Sequence, residues 1–331
     1  MPHVYSANFG IFAVMHRLID DICVFLEANG FECSLQMRYG LDVICTKTLD
    51  GRHDRMILPL EINSCTLEEA TQTSEDTYEA IRMTRSQEGY PLIITEDRWK
   101  RQREMMESRL LAHLELFSQA YARNCEIRRI EKSEAQEFLN KHHSYGYAAC
   151  KYRYGLFLKR HTGHIAEEMR SLDKLGMTGE KLGMTGEKLG MTEGKLIAVA
   201  TFSNARRWIK DGKEIRSYEW TRYASLPDLR VSGGMGKLLK AFIKEVEPDD
   251  IMSYADLEWS EGEVYERLGF KSEMMKDPVV FTIDPETWER RAVKGSLDKL
   301  GMTGDRLGMT GTFFFRNFGS RKFRLKLTEY R

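Results

Sequence analysis

Residues 231–246 read VSGGMGKLLKAFIKEV, and this stretch decides the fold that we expect for the second half of the chain. Gly233, Gly234 and Gly236 stand directly before a run of apolar residues at helical spacing. Glycine tolerates the positive φ of a tight turn and lets a ligand approach the backbone. The free N–H groups of a first helical turn, with the helix dipole, suit a phosphate or pyrophosphate. The stretch therefore predicts a glycine turn that opens a helix ending at Val246.

The glycine turn matches neither of two common nucleotide-binding motifs. The P-loop pattern GxxxxGK[ST] is absent. The turn also does not follow the first strand of a βαβ unit, as a dinucleotide fingerprint does. Taken alone it fits a plain turn equally well. Its position favours binding, because strand-like runs precede it, and a strand, a short helix and the sequence YERLGF follow it.

The elements around the turn predict a mixed α/β (α+β) fold. A helix is expected from Ser133, where Gln136 completes a capping box, and a short one at Gly262–Leu268. The expected strands are Cys125–Glu131, Tyr152–Leu158, Leu196–Ser203, Ile215–Ala224, Ile251–Ala255 and a run near Val279–Ile283.

Residues 1–120 are predicted to form a smaller α/β domain, followed by a second domain over residues 121–331. Helical spacing indicates helices at Ile11–Ala28, near Asp76–Ser86 and at Trp99–Phe117. Apolar runs indicate strands at Leu41–Thr46, Met56–Ile62 and Pro91–Thr95.

Two tracts with a seven-residue repeat interrupt the second domain. Residues 171–195 read SLDKLGMTGEKLGMTGEKLGMTEGK, and residues 296–312 read SLDKLGMTGDRLGMTGT. A period of seven is typical of a coiled coil, but each unit carries glycine, which costs a helix ~1 kcal/mol per residue. We interpret both tracts as low-complexity insertions in surface loops.

The composition limits the compartment and the partners. The chain has 331 residues with 50 basic and 50 acidic side chains, so it lacks the overall basic excess of non-specific nucleic-acid binders. Six cysteines without a CxxC pair indicate reduced thiols and a cytoplasmic protein. Neither a membrane span nor a signal peptide is expected. His142 and His143 lack a second cluster of metal ligands, so we expect no metal site.

A DNA contact would therefore need a local basic patch, and the tail over residues 316–326 is one candidate. It interleaves Arg and Lys with Phe, a pattern that suits a nucleic-acid surface. The same pattern fits a final strand with one buried aromatic face.

Residues 253–270, SYADLEWSEGEVYERLGF, carry the most specific resemblance, together with TFS at 201–203, YEWTR at 218–222 and NKHH at 140–143 before Gly146. With the glycine turn, they resemble GNAT-type N-acyltransferases, and among these the Mom-like DNA-modification proteins of phages. The resemblance covers most of residues 120–285. It implies a mixed sheet with flanking helices, acetyl-CoA or another acyl-CoA as cofactor, and a nucleobase amine of DNA as acceptor.

In the resembling family, backbone amides of the glycine turn hold the pyrophosphate of acyl-CoA. The family pattern Q/R-x-x-G-x-G/A places Gly234 and Gly236 on its glycine positions, with Val231 where Arg or Gln is expected and Arg230 one residue early. The candidate cofactor-binding residues are Arg230, Val231, Ser232, Gly233, Gly234, Met235, Gly236 and Lys237.

Acyl transfer to a conjugated amine needs a positioned base and a polarised thioester. Asp256, at a predicted strand end, is the candidate base, or else caps the next helix. The resemblance implies that Tyr265 protonates the leaving thiolate; it can equally be a core tyrosine. Glu219 is a third candidate, or forms a surface pair with Arg222, although a period of two places these residues on opposite faces of a strand.

The first domain resembles a degenerate Vsr-like or PD-(D/E)xK-like nuclease through Asp42, Glu61-Ile-Asn63 and the EDRW element at 96–99. In such sites carboxylates hold Mg²⁺ and a lysine assists the attacking water. Asn63 stands at the lysine position and cannot supply that charge, so the carboxylates can instead be structural.

The leading interpretation is a two-domain DNA-modifying acyltransferase. Two alternatives remain: a phage-type or mobile-element endonuclease whose C-terminal domain only positions DNA, and a non-catalytic DNA-binding relic. The acyl donor and the acceptor stay open, because the sequence fits a nucleobase, a small amine or a protein.

Overall fold

The structure, a computed structural model, describes residues 17–48, 51, 53–88, 91–159, 194–293 and 312–329. Nearly all of both LGMT tracts lies outside these residues. Their interpretation as loop insertions therefore stays a prediction, as does the division of the chain at residue 120.

The first part folds around a four-stranded sheet in the order β1-β2-β3-β4, in which only the β3–β4 pair is parallel. Its strands are β1 (Cys33–Arg38), β2 (Leu41–Lys47), β3 (Asp54–Leu60) and β4 (Leu92–Thr95). Its helices are α1 (Leu18–Ala28), α2 (Leu67–Glu88), α3 (Glu96–Arg101) and α4 (Arg103–His113).

The three predicted strands of this part are confirmed, and β1 is an addition. Its sequence, CSLQMR, is mostly exposed or half-buried and carries few apolar residues, so no apolar run marks it. The single long helix predicted for Trp99–Phe117 is wrong. The backbone breaks at Gln102 (φ −120°, ψ 41°) and divides the segment into α3 and α4. The break allows Trp99 of α3 to be fully buried.

The second part is a mixed sheet with helices on both faces, which confirms the α/β (α+β) class. The order along the sheet is β13-β17-β12-β10-β8-β7-β6, and β9 pairs with β10. A short parallel pair, β5 with β11, lies beside it. The strands are β5 (Ser118–Tyr121), β6 (Cys125–Arg129), β7 (Tyr152–Leu158), β8 (Leu196–Phe202), β9 (Arg206–Lys210), β10 (Lys213–Ser225), β11 (Leu229–Ser232), β12 (Asp250–Asp256), β13 (Lys271–Lys276) and β17 (Ser320–Lys326).

Three helices cover this sheet: α5 (Lys132–His142), α6 (Gly234–Val246) and α7 (Glu263–Arg267). On the α6 face, Phe242 stacks on Phe202 with ring centroids 3.9 Å apart. On the other face, α5 packs against Phe157 and Val199. Because both faces are covered, the inner strands are continuous apolar runs, as the sequence suggested.

The predicted capping box of α5 is wrong. The helix begins one residue earlier, at Lys132, and Glu131 is the N-cap residue. Ser133 therefore lies inside the first turn instead of before it. No side chain caps this end of the helix.

A three-stranded sheet between β13 and β17 in sequence joins the two parts. It consists of β14 (Val280–Ile283), β15 (Arg290–Ala292) and β16 (Phe313–Arg316). The N–H of Phe314 donates to the carbonyl of Ser64, and β16 packs on α2. The predicted strand near Val279–Ile283 is therefore confirmed, but it belongs to this smaller sheet.

The basic tail forms β16 and β17, and each of its main cations has a carboxylate partner. Phe323 of β17 is fully buried in the hydrophobic core beside the main sheet. The pairs are Arg316 with Glu75, Arg321 with Glu261, Lys322 with Glu273, and Arg324 with Asp250 and Glu273. These cations are neutralised within the chain, so the tail fits the final-strand alternative and gives no support to a basic DNA-binding patch.

A buried ionic network connects the EDRW element with the turn after β12 and with β15. Arg290 donates from Nε and Nη2 to the two carboxylate oxygens of Asp97, at 2.7 and 2.8 Å, and from Nη1 to Glu258 at 2.8 Å. Burial would raise the pKa of Asp97, but the charge and hydrogen bonds of Arg290, with Thr95 and Arg98, together outweigh it and lower that pKa. Asp97 stays ionised because its partner is in place.

Replacing Arg290 by Met is expected to lower the free energy of unfolding at pH 7 by about 3–5 kcal/mol, because the buried Asp97 loses its ion-pair partner and the buried Glu258 keeps only Arg98. Urea unfolding measures the loss. The Asp97 contribution is present above the unfolded pKa of about 3.9 and disappears as pH falls through the lower folded value, so the variants should converge in acid. Arg291→Met is the control, since Arg291 pairs with Glu289 at the surface. An equal loss in both variants would contradict the network's role.

Candidate functional site

The main sheet opens between its two parallel neighbours, β10 and β12. Their register covers only Ser217–Glu219 opposite Asp250–Met252. Beyond it, a bulge between Trp220 and Arg222 turns β10 toward β8. Ser253 Oγ donates across the start of the gap to the Trp220 carbonyl, at 3.1 Å. Beyond this pairing β10 and β12 diverge, and their backbone groups line a gap that we call the wedge. An extended ligand can insert into it.

Tyr265 of α7 lies at this wedge. Its hydroxyl is 2.9 Å from Ser253 Oγ, and its ring stacks on Phe323 at 5.3 Å. Burial raises the pKa of the Tyr265 hydroxyl, so the phenol stays protonated and remains able to give a proton. The two alternatives for Tyr265 are therefore compatible, since the ring belongs to the core while the hydroxyl reaches the wedge.

The glycine turn forms the N-terminal end of α6. Gly233 has φ +75°, a left-handed conformation that favours glycine. A Cβ on Gly234 would lie 2.9 Å from Val231 Cγ1 and 3.2 Å from the Tyr223 hydroxyl, and one on Gly236 would lie 3.2 Å from Leu268. Packing thus accounts for Gly234 and Gly236, and the same contacts place the start of α6 between β10 and α7.

The remaining predicted cofactor residues lie in β11 and at the start of α6. Arg230, Val231 and Ser232 belong to β11 and pair with β5. Met235 follows Gly234 in the first turn of α6, where no side chain caps the backbone N–H groups. The ammonium of Lys237 donates to the carbonyls of Ala122 and Cys125, at 2.7 and 2.5 Å.

Arg230 and Ser232 are engaged as well. The Arg230 guanidinium lies 5.3 Å from the centre of the Phe117 ring, and Ser232 Oγ accepts a hydrogen bond from Gln119. The side chains of the turn region contact neighbouring segments. The backbone N–H groups at the start of α6, which no side chain caps, are therefore the groups of this region best suited to bind an anion.

Asp256 ends β12 and uses its two oxygens differently. Oδ1 accepts the N–H of Glu258 at 3.0 Å in the turn after β12. Asp256 does not cap the next helix, because α7 begins at Glu263 and its N-cap residue is Gly262. Oδ2 accepts the hydroxyl of Tyr145 at 2.5 Å and lies 4.0 Å from Arg98. Burial, and then the charge of Glu258, raise the pKa of Asp256, which moves the carboxylate toward the range of a useful base.

Arg98 and Tyr145 are site residues that sequence reasoning missed. Arg98 is buried in the EDRW element; it donates to Tyr145 Oη at 3.0 Å and to Glu258 at 3.2 Å. EDRW is visible in the sequence, but the nuclease resemblance assigns it to a different site. Tyr145 lies in the loop after α5, beside the NKHH motif, and carried no signal of its own.

The prediction that Glu219 and Arg222 point to opposite faces is wrong. Thr221 is an extra residue at the bulge, because Trp220 pairs with Phe202 and Arg222 pairs with the adjacent Thr201. The bulge restores Arg222 to the face that carries Glu219. Arg222 then donates to the carbonyl of Gly146 at 3.0 Å, in the Tyr145 loop.

His143 lies beside Arg222 and Tyr145, and its imidazole is neutral at pH 7. Burial, then the charges of Arg222 and Arg98, lower the pKa of His143 to about 4. Its Nδ1 accepts the N–H of Tyr145 at 3.1 Å. Glu219 lies nearby on β10, and its carboxylate is 3.8 Å from Arg206. Asp256 and Glu219 thus lie on the face of the main sheet opposite α6. Asp256 also contacts the loop after α5, through Tyr145.

Of the nuclease-like carboxylates, Glu96 and Glu61 have local partners, while Asp42 is exposed on β2. Glu96 accepts the N–H of Ile62 at 3.0 Å, and burial raises the pKa of Glu96. Glu61 lies 3.5 Å from Arg17, and Asp42 pairs in register with Met37 of β1. Across the described ranges, no group of three or more His, Cys, Asp or Glu side chains is arranged to hold a metal ion.

Among the described residues, no helix combines the length and apolar character that crossing a membrane requires. All six cysteines carry free thiols.

Comparison with known proteins gives matches only at the level of structure. The sequence matches no family model and no curated protein. Three similar solved structures are Eis1 from Mycobacterium abscessus, yncA from Salmonella typhimurium, described as an acetyltransferase with its cofactor acetyl-CoA, and a mutant of the AtaT toxin bound to the C-terminus of the antitoxin AtaR and acetyl-CoA.

The likeness to these structures is loose. The identities are 15%, 14% and 13%, and the TM-scores are 0.29, 0.30 and 0.24. The matches cover 48%, 62% and 58% of this chain, and 34%, 96% and 93% of the other chains. This chain therefore spans about a third of the length of Eis1, and superpositions at such scores transfer neither activity nor partners.

Proposed function

We propose that this chain is an acyl-CoA-dependent N-acyltransferase. The observation that carries the proposal is the wedge between β10 and β12, with Tyr265 on its wall and the uncapped start of α6 beside it. Tyr223 of β10 approaches Gly234 at that helix start, so the wedge and the free amides belong to one region. An extended thiol cofactor with a pyrophosphate group matches both features.

The residues present fit such a cofactor. The amides of Gly234, Met235 and Gly236 would hold the pyrophosphate, since the first N–H groups of a helix have no partner within the helix. The arm that bears the thioester would lie along the strand edges exposed in the wedge. When bound, acetyl-CoA or another acyl-CoA supplies an acyl group activated as a thioester.

The protein's own residues would then move two protons. Asp256 accepts one from the attacking amine, while the amine nitrogen forms its bond to the acyl carbon. The Tyr265 hydroxyl gives a proton to the thiolate that leaves as the carbon–sulfur bond breaks. Tyr145 and Arg98 fix the position of Asp256 Oδ2, which keeps its basic lone pair directed.

For the acceptor, we propose an exocyclic nucleobase amine of DNA, following the Mom-like resemblance of SYAD and YEWTR. Such an amine is conjugated and weakly nucleophilic, so it requires the base and the polarised thioester together. A base in a duplex would have to be flipped out to reach Asp256, and single-stranded DNA would react faster. The endonuclease alternative is less well supported, because Glu61 and Glu96 have local partners and Asn63 replaces the lysine.

Calorimetry with a ligand series tests the cofactor on the unaltered protein. CoA and dephospho-CoA should bind at least about tenfold more tightly than pantetheine, a difference of roughly 1.4 kcal/mol, because pantetheine lacks the pyrophosphate. Glycine substitutions are less informative here, since a side chain at Gly234 would strike Val231. No binding of CoA at millimolar concentration, or equal binding of CoA and pantetheine, would refute the proposed cofactor site.

Asp256→Asn should reduce the rate of nucleoside acylation by about 10²–10⁴-fold and leave CoA affinity unchanged. Asn retains the oxygen that accepts the Glu258 N–H, so stability should change little. In the wild type the rate should rise with pH through the raised pKa of Asp256, as the carboxylate loses its proton.

The measurement is the amount of modified nucleoside, by mass spectrometry, over a range of pH. Asp277→Asn, an exposed aspartate in the same part of the chain, is the matched control and should keep wild-type activity. Near-normal product from Asp256→Asn would exclude Asp256 as the base and leave Glu219 as the next carboxylate to test.

A further inference from the structure

Strands β9 and β10 continue past the β12 pairing as a two-stranded ribbon over residues 206–217. Its register places Arg206 opposite Ser217 and Lys210 opposite Lys213. Asp211 and Gly212 close the ribbon with φ angles of +51° and +75°. Positive φ at both turn residues is typical of the tight hairpin that matches strand twist. The ribbon is therefore a defined element on which alternate side chains take opposite faces.

One face of the ribbon continues directly into the candidate site. Arg206, Trp208 and Lys210 alternate along β9 and share this face. Two contacts confirm the assignment: the Trp208 indole N–H donates to Ser217 Oγ at 3.0 Å, and Arg206 lies 3.8 Å from Glu219. Arg222 lies further along the same face.

Apart from Arg206, which faces Glu219, the cations on the two faces differ in their partners. On the far face, Arg207 pairs with Glu214 at 3.2 Å, and Arg216 lies 3.8 Å from Asp249. On the near face, Lys210 and Lys213 lie directly opposite each other, and within the described ranges neither has a carboxylate partner. Like charges opposite each other destabilise a ribbon, and an anion bound beside both lysines would relieve this repulsion.

We propose that the near face of the ribbon, defined by Arg206, Trp208, Lys210 and Lys213, binds single-stranded nucleic acid and leads it toward Asp256. Trp208 is 37% exposed and can stack on a base, while the flanking cations meet phosphates. An acidic peptide would engage the lysines but has no bases to stack on Trp208. The direction toward Asp256 rests on the proposed function; the binding surface does not.

Fluorescence anisotropy with a labelled oligothymidine of about 12 nucleotides tests the surface, since this length lies within the usual site sizes. The double variant Lys210→Gln, Lys213→Gln should reduce the slope of log affinity against log salt by about 1.4, at ~0.7 per lost phosphate contact. Trp208→Ala should weaken binding roughly tenfold or more, and Trp208→Phe should retain most of the affinity. Arg207→Gln, on the far face of the same strand, is the matched control and should bind as the wild type does.

Several outcomes would overturn the proposal. These are no oligonucleotide binding by the wild type, an equal effect of the near-face and Arg207 variants, or binding of polyglutamate as tight as that of DNA and insensitive to Trp208→Ala. Melting temperatures of all variants should stay close to wild type, and the Trp208→Phe variant separates loss of stacking from local unfolding.

Calorimetry with CoA on the same variants distinguishes this surface from the proposed function. Unchanged CoA affinity in the near-face variants, with loss of oligonucleotide binding, supports both proposals. Oligonucleotide binding without CoA binding would leave the surface standing and refute the acyltransferase. CoA binding without any oligonucleotide binding would refute the surface alone.

Discussion

The pairing of Arg290 and Arg98 with buried carboxylates is the interaction on which the arrangement of this protein depends. Arg290 holds Asp97 of α3, directly after the first sheet, and Glu258 from the loop after β12. Arg98 holds Glu258 and reaches the Tyr145 hydroxyl that binds Asp256. A buried charge without its partner costs several kcal/mol, so these groups tolerate only one relative position of the two sheets. The candidate base is thereby fixed by residues from both halves of the chain.

This dependence gives the first part of the chain a role that needs no nuclease chemistry. The EDRW element looks like a remnant of a metal site in sequence, yet its side chains serve the second part. Trp99 is buried in the core of the first part, while Asp97 and Arg98 form ion pairs with Arg290 and Glu258 of the second part. A motif of this kind would persist for geometric reasons after loss of any cleavage activity.

Much of the fold could be predicted from periodicity, because most inner strands are continuous apolar runs and α6 has a clear apolar stripe. The elements that escaped prediction lack such a signal. Strand β13 is exposed along its whole length, and β9 is mostly basic. The break at Gln102 and the bulge at Thr221 depend on tertiary contacts that a local pattern does not contain. For the site, the sequence indicated Asp256 and Tyr265, but Tyr145 and Arg98 come from distant segments that only the fold brings near.

The position of β17 constrains the order in which the site can form. Residues 320–326 lie between β12 and β13, so β12 lacks one of its two neighbours until that segment is available. Strand pairing across more than sixty intervening residues closes slowly, since the entropy of a long loop must be overcome first. During synthesis, β6, β7, β8 and β10 can assemble early, whereas the strand that carries Asp256 becomes fully paired late. A ribosome-bound chain would thus hold a partly built sheet with an open edge at the strand that carries the candidate base Asp256.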